Sequence, residues 1–223
     1  MKPCRRWIPP FVPVPRDLEE VLHRGGLVVY PTETVYGLGG NPEIPGVMDR
    51  IYGIKGRPLG KPLPLIAADV ETVRQWAVWR SDPLDRLAEA FWPGPLTLVL
   101  EALPRVPKGV VSSEGTVAVR VSSHPVAGML ARLCGGWIVA TSANLSGQPP
   151  VSDPVALPEA LLHAVDGLVD GGPLVPSRPS TLIAVRFHHG RVSWAVLREG
   201  AVSREALCLF FGREKTAAAA EEL

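Results

Sequence analysis

The sequence is poor in cysteine and has no long apolar run. Its three cysteines, Cys4, Cys134 and Cys208, are widely separated and form no C-x-x-C pair, so neither a disulfide framework nor a zinc site is predicted. We therefore expect a reduced, cytoplasmic setting. No stretch of about 18 consecutive apolar residues occurs, so we expect no membrane-spanning helix. Prolines interrupt the first 17 residues, which excludes a secretory signal peptide.

Charge of one sign is also lacking, since the formal net charge of the 223-residue chain is only +1. Any anion-binding site must therefore come from cations placed close together. The sequence contains no phosphate-binding G-x-x-x-x-G-K-[ST] loop and no dinucleotide-binding G-x-G-x-x-G motif. It also has no G-x-S-x-G nucleophile elbow. His188 and His189 fall in a predicted hairpin turn, where we do not expect a metal site.

Glycine and proline, by contrast, are plentiful, with 22 and 24 residues. The segment Lys55–Pro62 combines three cations with two glycines and two prolines, which disfavours a helix. Because Pro58 and Pro62 fix φ at their positions, we expect a shaped loop that presents its cations as an anion clamp. The alternative is an ordinary basic turn in solvent.

Strand and helix patterns alternate along the chain and predict the α/β class. We expect a single domain with a twisted mixed β-sheet, flanked by helices, around a concave basic cavity. Residues 1–15 are predicted to form a proline-rich extension, residues 16–212 the catalytic domain, and residues 213–223 a frayed tail.

Polar side chains interrupt or follow the predicted strands at three places. If Thr32–Tyr36 is extended, its hydroxyl side chains line one face. Thr116–Val121 alternates so that Arg120 lies opposite an apolar face, which is unusual because Arg is seldom buried without a partner. Thr141–Gly147 follows a strand and is dense in short polar side chains, as in ligand sites of α/β sheets. The alternative explanation is an ordinary strand for Thr32–Tyr36 and ordinary turn chemistry for Thr141–Gly147.

These groups form a candidate site made of cations with hydroxyls and amides. The cations are Lys55, Arg57, Lys61, Arg120 and Arg198, and the polar groups are Thr34, Thr116, Ser142, Asn144, Ser152 and Ser180. The set lacks an evident nucleophile or a pair of acid and base carboxylates. It therefore suits a reaction whose reactants bring their own nucleophile, such as transfer at a nucleotide phosphate, where catalysis is mostly positioning and electrostatics.

Three segments carry a resemblance to a known family. Val28–Leu38, Ile51–Pro58 and Thr141–Gly147 resemble, in order and approximate spacing, the main motifs of the YrdC/Sua5/TsaC family, the threonylcarbamoyl-AMP synthases. The resemblance covers about residues 25–200. The length of the chain resembles that of the short, single-domain form of the family.

The resemblance implies that L-threonine, bicarbonate and ATP condense to threonylcarbamoyl-AMP and pyrophosphate. This is the first step of t6A modification at position 37 of ANN-decoding tRNAs. The threonine amine attacks the CO2 unit, and the resulting carbamate attacks the α-phosphate. The resemblance implies no tightly bound cofactor and no metal-binding side chains. It implies Mg2+ accompanying ATP, delivery of the product to a tRNA threonylcarbamoyl transferase complex, and weak tRNA binding at most.

The family's functional residues carry over by motif. Lys55 and Arg57 are implied to be catalytic. The implied threonine-binding residues are Thr34, Arg120, Ser142 and Ser180, and the implied nucleotide-binding residues are Arg57, Lys61, Thr116, Asn144, Ser152 and Arg198. Lys61 replaces an Asn that is common in the family, and Ile66 replaces a His often seen near the threonine site. Ser180 lacks the acidic residue that often precedes it.

Three alternatives remain open at this stage. A cation-lined surface could bind an RNA backbone without catalysis, although no basic stripe with interleaved aromatics is visible. A carbamoyl-transfer relative would use carbamoyl phosphate instead of bicarbonate and threonine. A purely structural role would leave the polar motifs at the strand ends unexplained.

Overall fold

The computed structural model describes residues 4–56, 62–188 and 191–212. Of the predicted features, Arg57, Lys61, His189 and the tail at residues 213–223 lie outside the described residues. The predicted domain boundaries at 15/16 and 212/213 stay predictions.

Helices and strands alternate, which confirms the α/β class. The helices are α1 (Arg16–His23), α2 (Val47–Lys55), α3 (Val70–Trp76), α4 (Ser81–Phe91), α5 (Pro125–Leu133), α6 (Glu159–Ala164) and α7 (Arg204–Phe211). The strands are β1 (Arg5–Trp7), β2 (Val28–Tyr30), β3 (Gly37–Gly39), β4 (Leu65–Ala67), β5 (Leu96–Glu101), β6 (Thr116–Val121), β7 (Trp137–Val139), β8 (Thr141–Ser142), β9 (Gly167–Val169), β10 (Thr181–His188) and β11 (Arg191–Arg198).

Within the described residues the strands form two mixed sheets, whereas the sequence predicted one. The smaller sheet has the order β1-β9-β2-β3-β8, and the larger has the order β11-β10-β5-β6-β4-β7. Runs of apolar residues reveal strands but not their pairing, which is why the division was not predicted.

The two sheets meet at β3 and β7 through close backbone contact. Val139 donates its backbone N–H to the Gly40 carbonyl at 3.1 Å, and the Tyr30 hydroxyl donates to the Val139 carbonyl at 2.7 Å. A Cβ on Gly39 would lie 1.7 Å from the Val139 carbonyl oxygen, so this approach requires glycine. This contact between β3 and β7, called the joint below, fixes the positions of the two sheets relative to each other.

Strand β1 was not predicted from the sequence. It pairs in parallel with β9, from Arg5 opposite Gly167 to Trp7 opposite Val169. The Trp7 side chain is buried, and its indole N–H lies 3.1 Å from both carboxylate oxygens of Asp17. A strand of three residues is too short to show alternation. The prolines around it therefore led to the prediction of a proline-rich extension without a strand.

The segment after β2 is a turn where the sequence predicted an extended face of hydroxyls. The Thr32 hydroxyl accepts hydrogen bonds from the backbone N–H groups of Thr34 and Val35, at 3.2 and 3.3 Å. Such side-chain bonds compete with strand pairing, and regular strand structure begins only at Gly37. The turn nevertheless brings the Thr32 and Thr34 hydroxyls to 3.1 Å from each other.

Helix α2 and strand β6 place the two cations of greatest interest. Val47, Ile51 and Lys55 lie four residues apart on one buried side of α2. Lys55 is thus the last helical residue and not, as predicted, the first residue of a loop. The helix ends at Gly56 in the left-handed conformation. In β6, Val117 and Val119 are fully buried in the main hydrophobic cluster. The opposite side of β6 is therefore available for a site.

Candidate functional site

A cavity of about 1070 Å³ lies between the two sheets. One wall comes from the Thr32–Gly37 turn and β8 of the smaller sheet, and the other from β5, β6, β10 and β11 of the larger sheet. Of the predicted site residues, this cavity is lined by Thr34, Thr116, Arg120, Ser142, Ser180 and Arg198. Residues far apart in sequence thus converge on one space.

Strand β6 supplies a polar strip to the cavity by simple alternation. Thr116, Ala118 and Arg120 line the cavity, while Val117, Val119 and Val121 belong to the hydrophobic core. This arrangement is the one predicted from the sequence, and it explains how an Arg is accommodated in an apolar strand.

The Arg120 guanidinium is buried beside an acidic side chain. Its Nε lies 3.2 Å from Glu33 Oε1, and the two side chains are only 8% and 12% exposed. The N–H is not directed at the oxygen, so the contact is an ion pair without a hydrogen bond. Arg120 Nη1 donates to the Ser180 hydroxyl at 3.3 Å. Among the described residues nothing else accepts a hydrogen bond from the guanidinium, so its other donors are open to a ligand there.

Ser180 is held at the start of β10 by several contacts. Its hydroxyl lies 2.9 Å from the Thr97 hydroxyl, and its carbonyl accepts from Arg198 Nη2 at 2.8 Å. Arg198 therefore fixes this segment as well as lining the cavity. These bonds place two hydroxyls and two guanidinium groups in one region of the wall.

Lys55 contacts the protein rather than the cavity surface in the part of the chain described. Its Nζ donates to the carbonyls of Ser142 and Asn144, at 2.7 and 2.8 Å, and to Asn144 Oδ1 at 2.8 Å. An ammonium group has three donors, and the Ser142 hydroxyl is a further acceptor at 3.5 Å, so the ammonium is held firmly by the Ser142–Asn144 segment. Lys55 thereby ties the end of α2 to the segment after β8.

The Ser142–Asn144 segment is ordered by its own side chains too. The Ser142 hydroxyl donates to Asn144 Oδ1 at 2.5 Å, and the Asn144 amide donates to the Gln148 carbonyl. Ser142 lines the cavity, so Lys55 and Asn144 reach it through Ser142. Among the described residues, this trio forms one connected network.

Two positions that the resemblance singles out, Ser152 and Ile66, lie away from the cavity wall that the described residues form. Within the described wall of the cavity Ser152 does not appear, and its carbonyl accepts the Leu174 N–H at 2.8 Å. Ile66 lies opposite Arg120 in the pairing of β4 with β6 but packs with Ile138 and Tyr30 in a separate hydrophobic cluster. The roles of Arg57 and Lys61 stay predictions, because both lie outside the described residues.

Sequence reasoning missed several charged and polar residues of the site. Glu33 and Thr97 contact predicted residues directly. The cavity is also lined by Arg80, Glu101, Glu114 and Arg186, and Glu114 pairs with Arg186 at 3.2 Å. The buried Arg120 was a signal that an acid must be near, but the sequence did not say which one. The predicted basic character of the cavity stays a prediction, since acidic and basic residues both line it.

Burial favours the neutral forms of two tyrosines and one histidine near the cavity. Burial raises the pKa of Tyr36, which lines the cavity, to about 12, and burial strongly raises the pKa of Tyr30 as well. Burial lowers the pKa of His124, against a smaller opposing effect of Glu33. Tyr36 therefore remains protonated at neutral pH and does not provide an anionic nucleophile.

Metal-binding clusters and membrane-spanning helices are both absent from the described residues. No group of three or more His, Cys, Asp or Glu side chains there could hold a metal ion. No helix in this part of the chain is long and apolar enough to cross a membrane.

The fold and the cavity define an α/β protein with a polar, cation-containing site between two mixed sheets. The protein-family model named for Sua5, YciO and YrdC, and described as telomere recombination, matches residues 20–200. The chain belongs to this Sua5/YciO/YrdC family.

Similar proteins agree with this assignment. Over 160 residues the chain is 41% identical to the threonylcarbamoyl-AMP synthase of Xanthomonas axonopodis pv. citri, covering 67% of this chain and 81% of that protein. Sua5 of P. abyssi, solved in complex with L-threonine, is 31% identical with a TM-score of 0.84; the match covers 96% of this chain and 62% of Sua5. YciO of E. coli is 27% identical with a TM-score of 0.78, and the match covers 91% and 98% of the two chains. The chain thus spans less than two thirds of the P. abyssi protein.

Proposed function

We propose that this chain is an L-threonylcarbamoyladenylate synthase, a nucleotidyltransferase that makes threonylcarbamoyl-AMP for tRNA t6A modification. The observation that carries the proposal is the convergence of Thr34, Arg120, Ser142 and Ser180 on one cavity. The names of the similar proteins support it, as does the L-threonine bound to P. abyssi Sua5.

In the proposed reaction the substrates supply both nucleophiles. The threonine amine forms an N–C bond to CO2 derived from bicarbonate and loses a proton, which gives a carbamate. A carbamate oxygen then attacks the α-phosphorus of ATP, and the bond to the bridging oxygen breaks to release pyrophosphate. The protein has to orient the reactants, exclude water and offset negative charge.

The described residues fit these tasks. The guanidinium of Arg120 would bind the threonine carboxylate, with Thr34, Ser142 and Ser180 around it. Thr116 and Arg198, which also line the cavity, would contact the nucleotide. Lys55 would act on the site by shaping the Ser142–Asn144 segment, and a direct contact with phosphate would require it to exchange one of its three acceptors.

Other parts of the proposal rest on the family resemblance. Arg57 is proposed to meet the phosphates and the carbamate, with Lys61 and Asn144 completing the nucleotide pocket. The resemblance also implies Ser152, but this residue lies outside the cavity wall that the described residues form. Mg2+ is proposed only as the counter-ion that ATP carries. The product would pass to a tRNA threonylcarbamoyl transferase complex in the cytoplasm, and direct tRNA contact would be weak.

Pyrophosphate release tests the reaction with a small set of mixtures. We expect release with ATP, L-threonine and bicarbonate together, and background release when either threonine or bicarbonate is omitted. Serine in place of threonine measures the contribution of the threonine methyl group. Carbamoyl phosphate in place of bicarbonate and threonine tests the carbamoyl-transfer alternative, which predicts release in that mixture alone.

A binding assay with RNA tests the non-catalytic alternative. If the chain were an RNA-binding module, its RNA affinity would fall steeply with salt, and ATP with threonine would leave that affinity unchanged. Threonine-dependent pyrophosphate release contradicts this alternative.

A further inference from the structure

Arg120 needs an acidic partner because it lies in an otherwise apolar strand. Burying a charge is costly unless the charge is paired, and Glu33 is the carboxylate that faces the Arg120 guanidinium at 3.2 Å. Neither the resemblance nor the polar motifs predicted a role for Glu33.

Glu33 is itself held in position from two directions. The Thr32 hydroxyl fixes the turn that carries it. Its other carboxylate oxygen, Oε2, accepts a hydrogen bond from the Ser122 hydroxyl, and that hydroxyl accepts the His124 backbone N–H at 3.2 Å. Ser122 directly follows β6, so the strand that carries Arg120 also leads into the segment that anchors Glu33.

Glu33 lies behind Arg120 as seen from the cavity. Its neighbours Thr32, Thr34 and Val35 line the cavity, whereas Glu33 is not part of the wall that the described residues form. Among the described residues its carboxylate contacts Arg120 and Ser122, and of these two Arg120 lines the cavity. A guanidinium is planar with its donors in a fixed fork, so a carboxylate beside Nε decides where Nη1 and Nη2 point.

We propose that Glu33 is a positioning residue that holds Arg120 with Nη1 and Nη2 toward the cavity, where they take a substrate carboxylate in a bidentate pair. The identity of that substrate as L-threonine rests on the proposed function. In this structure Glu33 Oε1 and Arg120 Nε are buried and lack hydrogen-bond partners among the described residues. A substrate carboxylate bound to Nη1 and Nη2 would turn the guanidinium so that Arg120 Nε donates a hydrogen bond to Glu33 Oε1.

The kinetic test compares Glu33→Gln with a matched acid-to-amide control. Glu33→Gln keeps the shape of the side chain and removes its charge. Glu71→Gln removes an exposed carboxylate on α3 that pairs with Arg74. We expect Glu33→Gln to raise the KM for threonine by about tenfold or more with the KM for ATP unchanged, and Glu71→Gln to leave both at the wild-type values. An equal rise in both KM values for Glu33→Gln would overturn the proposal.

Direct binding separates this proposal from the proposed function. Calorimetric titration without ATP uses L-threonine and L-threoninamide, which lacks the carboxylate. Glu33→Gln should weaken threonine binding by about tenfold and leave the weaker binding of threoninamide unchanged. If the wild type binds threonine but makes no threonylcarbamoyl-AMP, the function fails while the loss in Glu33→Gln still supports the positioning role. If the wild type binds no threonine, both proposals fail.

Glu33→Asp guards against a folding defect. The shorter carboxylate keeps the charge, so it should recover part of the threonine affinity that Glu33→Gln loses. Thermal unfolding of each variant is measured alongside. Equal threonine affinities of folded Glu33→Asp and Glu33→Gln, both below the wild type, would show that charge on this side chain is irrelevant and would overturn the proposal. If Glu33→Gln does not fold, Glu33→Asp takes its place in the kinetic test, and a rise in its KM for ATP equal to that in its KM for threonine would overturn the proposal.

Discussion

Two buried cations at the cavity are used in different ways. The Lys55 ammonium donates to neutral oxygens of the Ser142–Asn144 segment. Arg120 instead faces the Glu33 carboxylate and donates once, to Ser180, as far as the described residues go. An ammonium whose three donors are engaged shapes a wall, whereas a guanidinium with spare donors is able to receive a ligand. Equal charge in the sequence thus corresponds to different roles in the structure.

Replacing Arg120 should have the largest effect. Arg120→Ala leaves the Glu33 carboxylate buried without its partner, which typically costs about 3–5 kcal/mol of unfolding free energy. Threonine binding should be lost as well. Denaturant unfolding and calorimetry measure the two effects.

The double variant Arg120→Met with Glu33→Gln is the control for Arg120→Ala. It removes both charges, so we expect it to recover most of the stability but none of the threonine affinity. Recovered threonine binding in the double variant would contradict the role of Arg120.

Replacing Lys55 should have the next largest effect and should spread over all substrates. Lys55→Ala leaves three buried acceptors without this donor, and an unsatisfied buried group costs about 1–3 kcal/mol. We expect lower thermal stability, and a loss of about 10–100-fold in kcat/KM for threonine and ATP alike. A loss confined to ATP with unchanged stability would instead indicate direct phosphate contact by Lys55.

The same loss of about 10–100-fold is predicted for Arg57→Ala from the sequence motif, because one charge-assisted hydrogen bond is removed. Threonine-dependent pyrophosphate release at the wild-type rate would exclude the predicted role of Arg57.

Gly39→Ala tests the joint that holds the two walls in register. The added Cβ would lie 1.7 Å from the Val139 carbonyl oxygen, so the backbone must shift at a cost of about 1–3 kcal/mol. We expect reduced stability and a weaker affinity for both substrates. Gly128→Ala in α5 is the matched control, since the atoms nearest to its added Cβ are 3.6 Å away. A stable and fully active Gly39→Ala would show that the joint does not position the walls.

Ser152→Ala should have the smallest effect. Its side chain is outside the cavity wall that the described residues form, so we expect the KM for ATP to stay within about twofold of the wild type, as for a substitution away from a site. A larger rise would restore the nucleotide-binding role that the resemblance implies for this residue.

Part of the fold and of the site was predictable from local patterns. The alternation in Thr116–Val121 placed Arg120 opposite the core. Lys55 was assigned to a loop because of the glycines and prolines that follow it, whereas it is the last residue of α2. Tertiary pairing was not predictable in this way. Nothing in the sequence near Glu33 indicates that it faces Arg120, because the contact joins residues 87 positions apart. The Thr32–Tyr36 turn was interpreted as an extended segment because Thr favours strands. The hydrogen bonds of the Thr32 hydroxyl that bend the chain form only in the folded turn, so residue types alone do not predict them.

The most direct test of the proposed reaction follows the carbon of bicarbonate. The wild-type protein is incubated with 13C-labelled bicarbonate, L-threonine, ATP and Mg2+, and the products are identified by mass spectrometry. We predict threonylcarbamoyl-AMP carrying one labelled carbon, formed in equal amount with pyrophosphate and only when all three substrates are present. Pyrophosphate release without threonine, or the absence of labelled threonylcarbamoyl-AMP, would contradict the assignment.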